Sequence, residues 1–294
     1  MVYQQTKSIL QQQGLAPHKK RGQNFLVHRH TAERIVDLAA PQPDDIIIEV
    51  GVGLGALTYP LAKRAKKVIG IESDSGLIRW HEQEGGLPEN VELIHRDILK
   101  TDFAELANGS GGRLKIVANL PYSISSPFLF RLIEHRELMD WAVIMLQKEV
   151  AQRLLAEPGT KDYGVPTVLL AGCATVKPLL KVGSGEFHPR PKVDSLVVKL
   201  SFLPIPERVA ALPAFDRKLF RKVVNGAFSQ RRKTLRNALK SAFPAIDNKT
   251  MTQLINQAGL EESIRAERLS LEAFVRLTDT IDIYQAEGAA RAAS

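Results

Sequence analysis

The chain has 294 residues, of which 44% are hydrophobic and 24% charged, so it can form a globular protein with one large domain and one smaller one. Its apolar runs fall short of the roughly 20 residues that span a bilayer, and its glutamine-rich N-terminus lacks the apolar centre of a secretory signal; we therefore expect a cytoplasmic protein without a membrane partner. The formal charge of +8 favours a polyanionic partner, whereas one cysteine and no closely spaced histidines argue against a disulfide or a metal site.

From residue 46 onward, short apolar runs alternate with segments of helical periodicity. The runs that we predict as strands are DIIIEV, KKVIGIE, VELIHRD, KIVANL and AVIMLQ. This alternation predicts an α/β fold in which a parallel sheet carries helices on both faces. Ligands of such sheets bind beyond the carboxyl ends of the strands, so the residues that follow each strand are the candidates for a site.

A glycine-rich segment, EVGVGLGALT, includes the end of the first predicted strand. Gly51, Gly53 and Gly55 allow a tight turn close to a ligand, and the next helix directs its N–H groups towards it. Gly51 and Gly53 also fit the fingerprint of a dinucleotide site, and Glu72, about 20 residues further on, fits its ribose-binding acid. A nicotinamide-dependent oxidoreductase is therefore one hypothesis.

Two acidic residues favour a different ligand. Glu49 stands just before the first glycine, where it would repel a pyrophosphate but attract a cation. S-adenosylmethionine carries a sulfonium and an ammonium group and no phosphate. Asp97 follows the third strand and can accept a hydrogen bond from an adenine amine, although capping a short helix is an equally simple interpretation. With Gly51 and Glu72, Asp97 predicts a nucleoside site.

The segment NLPYSISSP begins at the end of the fourth strand, at the same edge of the sheet. An exocyclic amine of a nucleobase is a poor nucleophile because its lone pair is delocalised into the ring. The side-chain oxygen of Asn119 and the backbone C=O of Leu120 can accept its two N–H groups, and Pro121 fixes the turn. The ring of Tyr122 can stack on a base that has been flipped out. These features predict methyl transfer by in-line positioning without a strong general base. The alternative is that the segment is a plain turn. We expect its serines to cap the next helix.

After the predicted parallel strands, the alternation of strands and helices ends. TVKPLLKVG and SLVVKLSF predict a closing pair of antiparallel strands. FLPIPERVAALP contains three prolines and reads as a linker, and every later segment has helical periodicity. We therefore predict two domains, residues 1–203 and residues 204–294, the second of them smaller and all-helical.

The predicted helical domain carries the charge excess. Between Asp216 and Lys240 there are nine Lys or Arg and one Asp, so this segment alone matches the net charge of +8. Apolar residues recur among them at helical spacing, which predicts two helices with one buried and one basic face. A solvated helix face is the simple interpretation of a short charge run, but this density favours RNA, because neutralised phosphates release counterions. The candidate RNA-binding residues are Arg221, Lys222, Arg231, Arg232, Lys233 and Arg236.

Five segments together resemble the KsgA (RsmA) family of ribosomal RNA adenine dimethyltransferases over roughly residues 18–280. They are EVGVGLGALT and NLPYSISSP, with GQNFL at 22–26, FHPRPKVDS at 187–195 and QRRKTLRNAL at 230–239. The resemblance implies a Rossmann-like class I methyltransferase sheet with S-adenosylmethionine as cofactor. It implies dimethylation of N6 of two adjacent adenines near the 3′ end of 16S rRNA. The expected partner is the immature 30S subunit, and we expect a monomer without a metal.

The resemblance also implies roles for individual residues. Asn24 and Leu26 would close over the methionine end of the cofactor, Glu72 would bind the ribose, and Asp97 the adenine amine. Asn119 would serve both the cofactor and the target amine. The implied cofactor-binding residues are Asn24, Leu26, Gly51, Gly53, Glu72, Asp97 and Asn119. The implied catalytic residues are Asn119, Leu120, Pro121, Tyr122 and Phe187.

Two further segments have competing interpretations. Phe187 resembles a second aromatic that encloses the target base opposite Tyr122; core packing is the alternative, and a position in a proline-rich loop counts against it. The basic segment HKKRGQ at 18–23 suggests either a further RNA contact beside the cofactor or an exposed arm.

Two hypotheses of other classes remain open. A nicotinamide enzyme would share the sheet, but no hydride-site residue can be named for it. A non-enzymatic RNA-binding assembly factor would need only the basic helices, with a vestigial cofactor site. The methylases of large-subunit rRNA, which are relatives, cannot be separated by chemistry alone.

Overall fold

The computed structural model of the chain describes Thr6, Ser8–Leu10 and residues 22–293. Of the basic segment at 18–23, residues 18–21 therefore lie outside the described part. The chain forms two compact units. The first comprises the residues up to Ala151 together with Ala174–Pro204, and the second comprises Gln152–Cys173 together with the chain from Ile205 onward.

The first unit contains nine strands in the described part of the chain. They are β1 (Phe25–Leu26), β2 (Ile46–Val50), β3 (Lys67–Glu72), β4 (Val91–His95), β5 (Leu114–Asn119), β6 (Met139–Gln147), β7 (Thr175–Val182), β8 (Phe187–His188) and β9 (Ser195–Ser201). Seven of them form one sheet in the order β4-β3-β2-β5-β6-β9-β7, and β1 and β8 pair separately. The strands from β4 to β6 in this order are parallel, and β9 runs antiparallel to both β6 and β7. The predicted parallel sheet with a closing antiparallel pair is confirmed.

The helices of the first unit alternate with the strands. They are α1 (Arg29–Ala39), α2 (Thr58–Ala62), α3 (Ser75–Trp80), α4 (Phe103–Gly109), α5 (Ser125–Glu134) and α6 (Lys148–Leu154), whose last residues begin the second unit. A π-helical turn, His81–Gly85, continues α3, and a 3₁₀ turn, Tyr122–Ile124, leads into α5. The central strands are apolar on both faces, as in Ile47 and Ile48, which have no exposed area. Burial on both faces explains why their sequences are continuous apolar runs.

The order of the strands determines where along the edge of the sheet a ligand can bind. β2 pairs with β3 on one side and with β5 on the other, so the chain order reverses at β2. At such a reversal, the loops after the two neighbouring strands turn to opposite faces of the sheet and leave a crevice between them. The residues that follow β2 and β5 border this crevice.

The regular secondary structure of the second unit is helical in its described residues. Its helices beyond α6 are α7 (Val165–Ala171), α8 (Glu207–Ala210), α9 (Arg217–Phe228), α10 (Leu235–Leu239), α11 (Asn248–Gln257) and α12 (Leu271–Ala293). Asp216 caps α9 by accepting a hydrogen bond from the Leu219 N–H at 2.6 Å. The ring of Phe228 stacks on that of Phe274 at 5.9 Å inside the unit. The predicted helical C-terminal region is confirmed, and no helix in the described ranges is long and apolar enough to span a membrane.

Residues 152–173 differ from the sequence expectation, which assigned them to the first domain. The Tyr163 hydroxyl donates to the Leu269 carbonyl at 2.8 Å, and Arg217 donates to the Gly172 carbonyl at 3.0 Å. Val168 and Leu170 are fully buried. These contacts tie the segment to the later helices, and they arise from tertiary packing that the order of elements along the chain does not encode.

Candidate active site

A cavity of about 410 Å³ lies at the carboxyl edge of the sheet in the first unit. Gly51 and Gly53 line it from the loop after β2, Glu72 from the end of β3, Asp97 from the loop after β4, and Asn119 from the end of β5. The structure therefore brings together residues from four successive strand ends. Asn24 and Pro121 also line this cavity.

Two glycines of the loop after β2 hold positions that favour a residue without a side chain. Gly51 has a φ of +79°, and a Cβ there would lie 3.3 Å from the Asn119 carbonyl oxygen. Gly53 has a φ of +58°, and its Cβ would lie 3.3 Å from the ring of Phe25. Positive φ and close contacts both penalise a larger residue. The loop can thus bring its backbone to the cavity wall.

Glu72 is held by backbone N–H groups. One carboxyl oxygen accepts from Gly53 at 3.0 Å, and the other accepts from Ser73 at 2.8 Å and from Asp74 at 2.9 Å. Burial raises the pKa of Glu72, and the three N–H bonds oppose this increase. The carboxyl group is therefore fixed in position with acceptor capacity towards the cavity it lines.

His81 was not identified from the sequence. Its Nε2 lies 2.8 Å from the Gly53 carbonyl, and since a carbonyl only accepts, this nitrogen donates. Burial lowers the pKa of His81, so the ring is neutral. The residue belongs to the π-helical turn after α3, a feature often found at functional sites. His81 and Glu72 hold Gly53 from its two sides, the C=O and the N–H.

Asp97 forms a local turn at the cavity wall. One of its carboxyl oxygens accepts from the Leu99 N–H at 2.9 Å. Helix α4 is capped by Asp102 instead, whose side chain accepts from Ala104 at 2.8 Å. The helix-cap interpretation of Asp97 is therefore wrong. The cavity has an apolar wall formed by Ile71, Leu77 and Ile98, which were not identified from the sequence.

Asn119 and Asn24 are linked across the cavity edge. The Asn119 amide donates to the Asn24 carbonyl at 3.3 Å, and the Asn24 amide donates to the Gly22 carbonyl at 3.0 Å. The first bond uses the donor end of the Asn119 amide and leaves its oxygen as an acceptor. Leu120, the next residue, is buried, with 2% of its surface exposed.

Tyr122 lies in the 3₁₀ turn after Pro121 and is half-buried. Its hydroxyl lies 3.2 Å from that of Ser195, and burial raises the pKa of Tyr122. The following serines do not cap α5, contrary to expectation: the helix begins at Ser125, and the position before it is Ile124. Ser125 donates to the Pro121 carbonyl at 3.4 Å and so stabilises the turn that presents Tyr122.

Leu26 and Phe187 pair with each other in the β1–β8 ribbon, and neither lines the cavity. Leu26 is 3% exposed and Phe187 2%, and both pack in the core with Ile35 and Val143. Phe187 lies on a short strand and not in a loop. The loop position that we expected, and that counted against core packing, is therefore wrong. Leu26 lines a second cavity, of about 280 Å³.

The predicted RNA-binding residues lie in the second unit, on α9, on α10 and in the turn between them. Five of the six are exposed: Arg221, Lys222, Arg231, Arg232 and Lys233. Arg236 is half-buried and pairs with Glu262 at 3.2 Å. The buried faces of the helices include Phe220, Val224 and Leu239. The segment thus has the predicted buried and basic faces, with Arg236 partly neutralised.

The charges at the cavity restrict the class of ligand. Its charged lining residues are Glu72, Asp97 and Arg96, and Arg96 pairs with Glu105 at 2.7 Å. Two acidic groups disfavour a pyrophosphate and suit hydroxyl and amine donors. The cavity therefore fits the nucleoside of S-adenosylmethionine better than a nicotinamide dinucleotide. Among the described residues, no group of acidic, histidine or cysteine side chains is arranged to hold a metal ion.

Comparison with known proteins gives one consistent family. The model of the family described as ribosomal RNA adenine dimethylase matches residues 14–282. Ribosomal RNA small subunit methyltransferase A of Desulfotalea psychrophila is 53% identical over 288 residues, covering 95% of this chain and 96% of the relative. The protein of the same name from Geobacter metallireducens is 44% identical, covering 90% and 96%.

Solved structures agree with this assignment of the fold. A dimethyladenosine transferase from Plasmodium falciparum matches with a TM-score of 0.71 and 29% identity, covering 86% of this chain and 95% of that one. The 23S rRNA methyltransferase ErmE matches with a TM-score of 0.63 and 26% identity, covering 88% and 100%. The sheet and its helical extension are thus those of class I RNA methyltransferases.

Proposed function

Since the chain belongs to the ribosomal RNA adenine dimethylase family, we propose that it transfers methyl groups from S-adenosylmethionine to N6 of two adjacent adenines near the 3′ end of 16S rRNA. The observation that carries this proposal is the position of Asn119. It lines the cavity at the end of β5, and its amide donor is bonded to the Asn24 carbonyl, so its oxygen is the acceptor for a substrate amine.

The cofactor site follows from the residues that line the cavity. Glu72 is fixed by three N–H bonds and would accept from the ribose hydroxyls. Asp97 would accept from the adenine amine, beside the apolar wall that includes Ile98. Gly51 and Asn24 would contact the methionine end. When bound there, S-adenosylmethionine supplies an electrophilic methyl group on a sulfonium centre.

The exit loop after β5 would hold the target amine. The Asn119 oxygen and the Leu120 carbonyl accept its two N–H bonds, which directs the nitrogen lone pair out of the ring plane and towards the methyl group. Both acceptors bind more strongly as positive charge develops on the nitrogen, so they stabilise the transition state more than the ground state. The proton can leave after the methyl group has arrived, and no side chain is required as a strong base.

Tyr122 would stack on the flipped adenine. Its half-buried ring is held by the contact between its hydroxyl and Ser195, which favours a fixed orientation. Phe187 as a second stacking ring remains a prediction, and its burial means that a base would reach it only if its neighbours moved.

The basic surface of the second unit would bind rRNA. Five of the six candidate cations are exposed within one short segment, and phosphates that bind to them would release counterions. The names of the two relatives at 53% and 44% identity favour the small subunit over the large one. We propose the immature 30S subunit as the partner and the cytoplasm as the location. We also propose a monomer, because the described chain exposes few large apolar side chains: Leu38, Ile205, Ile283 and Tyr284.

The test offers immature 30S subunits, mature 30S subunits and 50S subunits separately, with methyl-labelled cofactor, and maps the modified bases. We expect two adjacent dimethyladenosines near the 3′ end of 16S rRNA, in immature particles only. Label in 23S rRNA would move the assignment to the large-subunit methylases. Particle binding without label, by a chain that binds the cofactor, would favour the assembly-factor hypothesis.

A further inference from the structure

Glu49 is an acidic residue in the middle of the sheet. It lies on β2 between Gly70 of β3 and Val117 of β5, and 1% of its surface is exposed. Neither carboxyl oxygen has a hydrogen-bond partner of good geometry among the described residues. The Thr58 hydroxyl lies near enough to favour the charged form, but it too is buried without a well-formed hydrogen bond.

An ionised carboxyl group in this position would be cut off from bulk water and would lack a counter-charge. Such a group is so costly that it takes up a proton instead. Burial raises the pKa of Glu49 to about 8, and the negative charge of Glu72 acts in the same direction. Glu49 is therefore protonated at neutral pH in the chain without cofactor.

The carboxyl group nevertheless lies next to the site. It lines a small cavity of about 30 Å³ beneath the glycine loop, together with Gly51, Gly53 and Asn119. Those three residues also line the large cavity. The small cavity has room for about one water molecule. The small cavity and the large one therefore share part of their walls.

We propose that Glu49 recognises the positive charge of the cofactor: it is protonated in the free chain and loses its proton to solvent when S-adenosylmethionine enters the large cavity. This proposal rests on the cofactor named under the proposed function. The carboxyl O–H bond breaks, buffer takes the proton, and the carboxylate then faces the cationic methionine end across the loop. The product, S-adenosylhomocysteine, has a neutral sulfur, so it stabilises the carboxylate less and releases fewer protons.

Few other groups near the cavity can release a proton when the cofactor binds. Among the described residues that line the small cavity, Glu49 alone is ionisable. Glu72 on β3 is the charged group whose field acts on Glu49, and it favours the protonated form. From β5 and α2, Val117 and Thr58 contribute no charge. His81, beyond the glycine loop, is already neutral because burial lowers its pKa.

Calorimetry in buffers with different ionisation enthalpies tests the proposal, because the dependence of binding heat on the buffer counts the protons released. At pH 7 we expect the wild type to release close to one proton more than Glu49→Gln on binding S-adenosylmethionine, and a smaller difference on binding the product. The amino group of the cofactor titrates in the same range, but it contributes equally to both proteins. The wild-type affinity should rise by up to about tenfold per pH unit as the pH approaches 8 and then level off.

The matched control is Glu33→Gln, which removes an exposed carboxyl of α1 that pairs with Arg29 at 2.8 Å. It makes the same replacement of a carboxyl by an amide away from the cavity and should leave proton release unchanged. Equal proton release by the wild type and Glu49→Gln would overturn the proposal.

A second measurement on the wild type alone covers the case in which Glu49→Gln does not fold. Infrared difference spectra should lose the carbonyl band of a protonated carboxyl group when S-adenosylmethionine is added, and lose less of it with the product. Persistence of that band would contradict the proposal.

If neither ligand gives any binding heat, the cofactor assignment itself has failed. Binding without proton release rejects the role of Glu49 alone.

Discussion

The ligand edge of the sheet and the basic surface of the helical unit use charge in opposite ways. At the sheet edge, Glu72 is buried and held by three backbone N–H groups, and Glu49 is buried without a counter-charge. On α9 and the turn that follows, Arg221, Arg231 and Arg232 are exposed. The first arrangement gives strong, salt-independent interactions at fixed positions, and the second gives weak, additive and screened ones.

This difference determines how each region should respond to mutation. A single change at the sheet edge removes a fixed group that has no substitute. A single change on the basic surface removes one of several similar charges. The expected effects below therefore run from the sheet edge to the basic surface.

The largest expected effect concerns the stability of the first unit. Phe187→Ala should lower the free energy of unfolding by about 3–5 kcal/mol, because the ring is buried in the core and its removal leaves a cavity. Urea unfolding of the purified protein measures this. Phe187→Leu is the control, since it fills much of the space. If the leucine variant is stable but inactive, the ring acts on the target base as well as in the core.

Asn119→Ala should reduce methyl transfer by on the order of 100-fold or more, equivalent to about 3 kcal/mol, as seen when one group that stabilises developing charge is removed. Cofactor binding should weaken but persist, because Glu72 and Asp97 remain. Single-turnover methylation and calorimetry separate the two effects. Asn108→Ala, at an exposed position of α4, is the matched control. Unchanged methylation by Asn119→Ala would refute the proposed role of the exit loop.

Tyr122→Ala should cost about 1–3 kcal/mol of base stacking. Tyr122→Phe keeps the ring, loses only the contact with the Ser195 hydroxyl, and should be nearly as active as the wild type. Methylation rates at saturating cofactor and limiting RNA measure the difference. A phenylalanine variant as impaired as the alanine variant would show that the hydroxyl matters and the stacking surface does not.

The smallest effect per residue is expected on the basic surface. Replacing Arg231, Arg232 and Lys233 together by Glu should weaken RNA binding and flatten its dependence on salt, because fewer counterions are released. Filter binding or fluorescence titration over a range of salt concentrations gives the slope. Arg236→Gln should change the slope less than Arg232→Gln, because Arg236 already pairs with Glu262. A slope that the triple variant does not alter would assign RNA binding to other residues.

Much of the sheet could be predicted from the sequence, for a physical reason. Strands buried on both faces are continuous apolar runs, and IIIEV and KIVAN have this form. The same regularity placed Gly51, Glu72, Asp97 and Asn119 at successive strand ends. Once the strands are parallel, their carboxyl ends must share one edge.

The features that the sequence did not predict depend on contacts between distant segments. His81 meets the carbonyl of Gly53, which lies 28 residues earlier in the chain. Phe187 is buried because its short strand pairs with Leu26, a contact with no local signal. Residues 152–173 pack with later helices through Tyr163 and Gly172. The charge state of Glu49 also depends on burial, which residue type alone does not reveal.

The β1–β8 ribbon affects the order in which the first unit folds. Phe25 pairs with His188, so the ribbon can close only after β2 to β7, which lie between its two strands in the chain, have been made. Joining ends so far apart along the chain carries a large entropic cost until the intervening sheet holds them near each other. Asn24, immediately before this ribbon, would therefore reach its place late in folding. A nascent chain should be unable to retain its methyl donor, and capture of that molecule should mark the moment at which the first unit is complete.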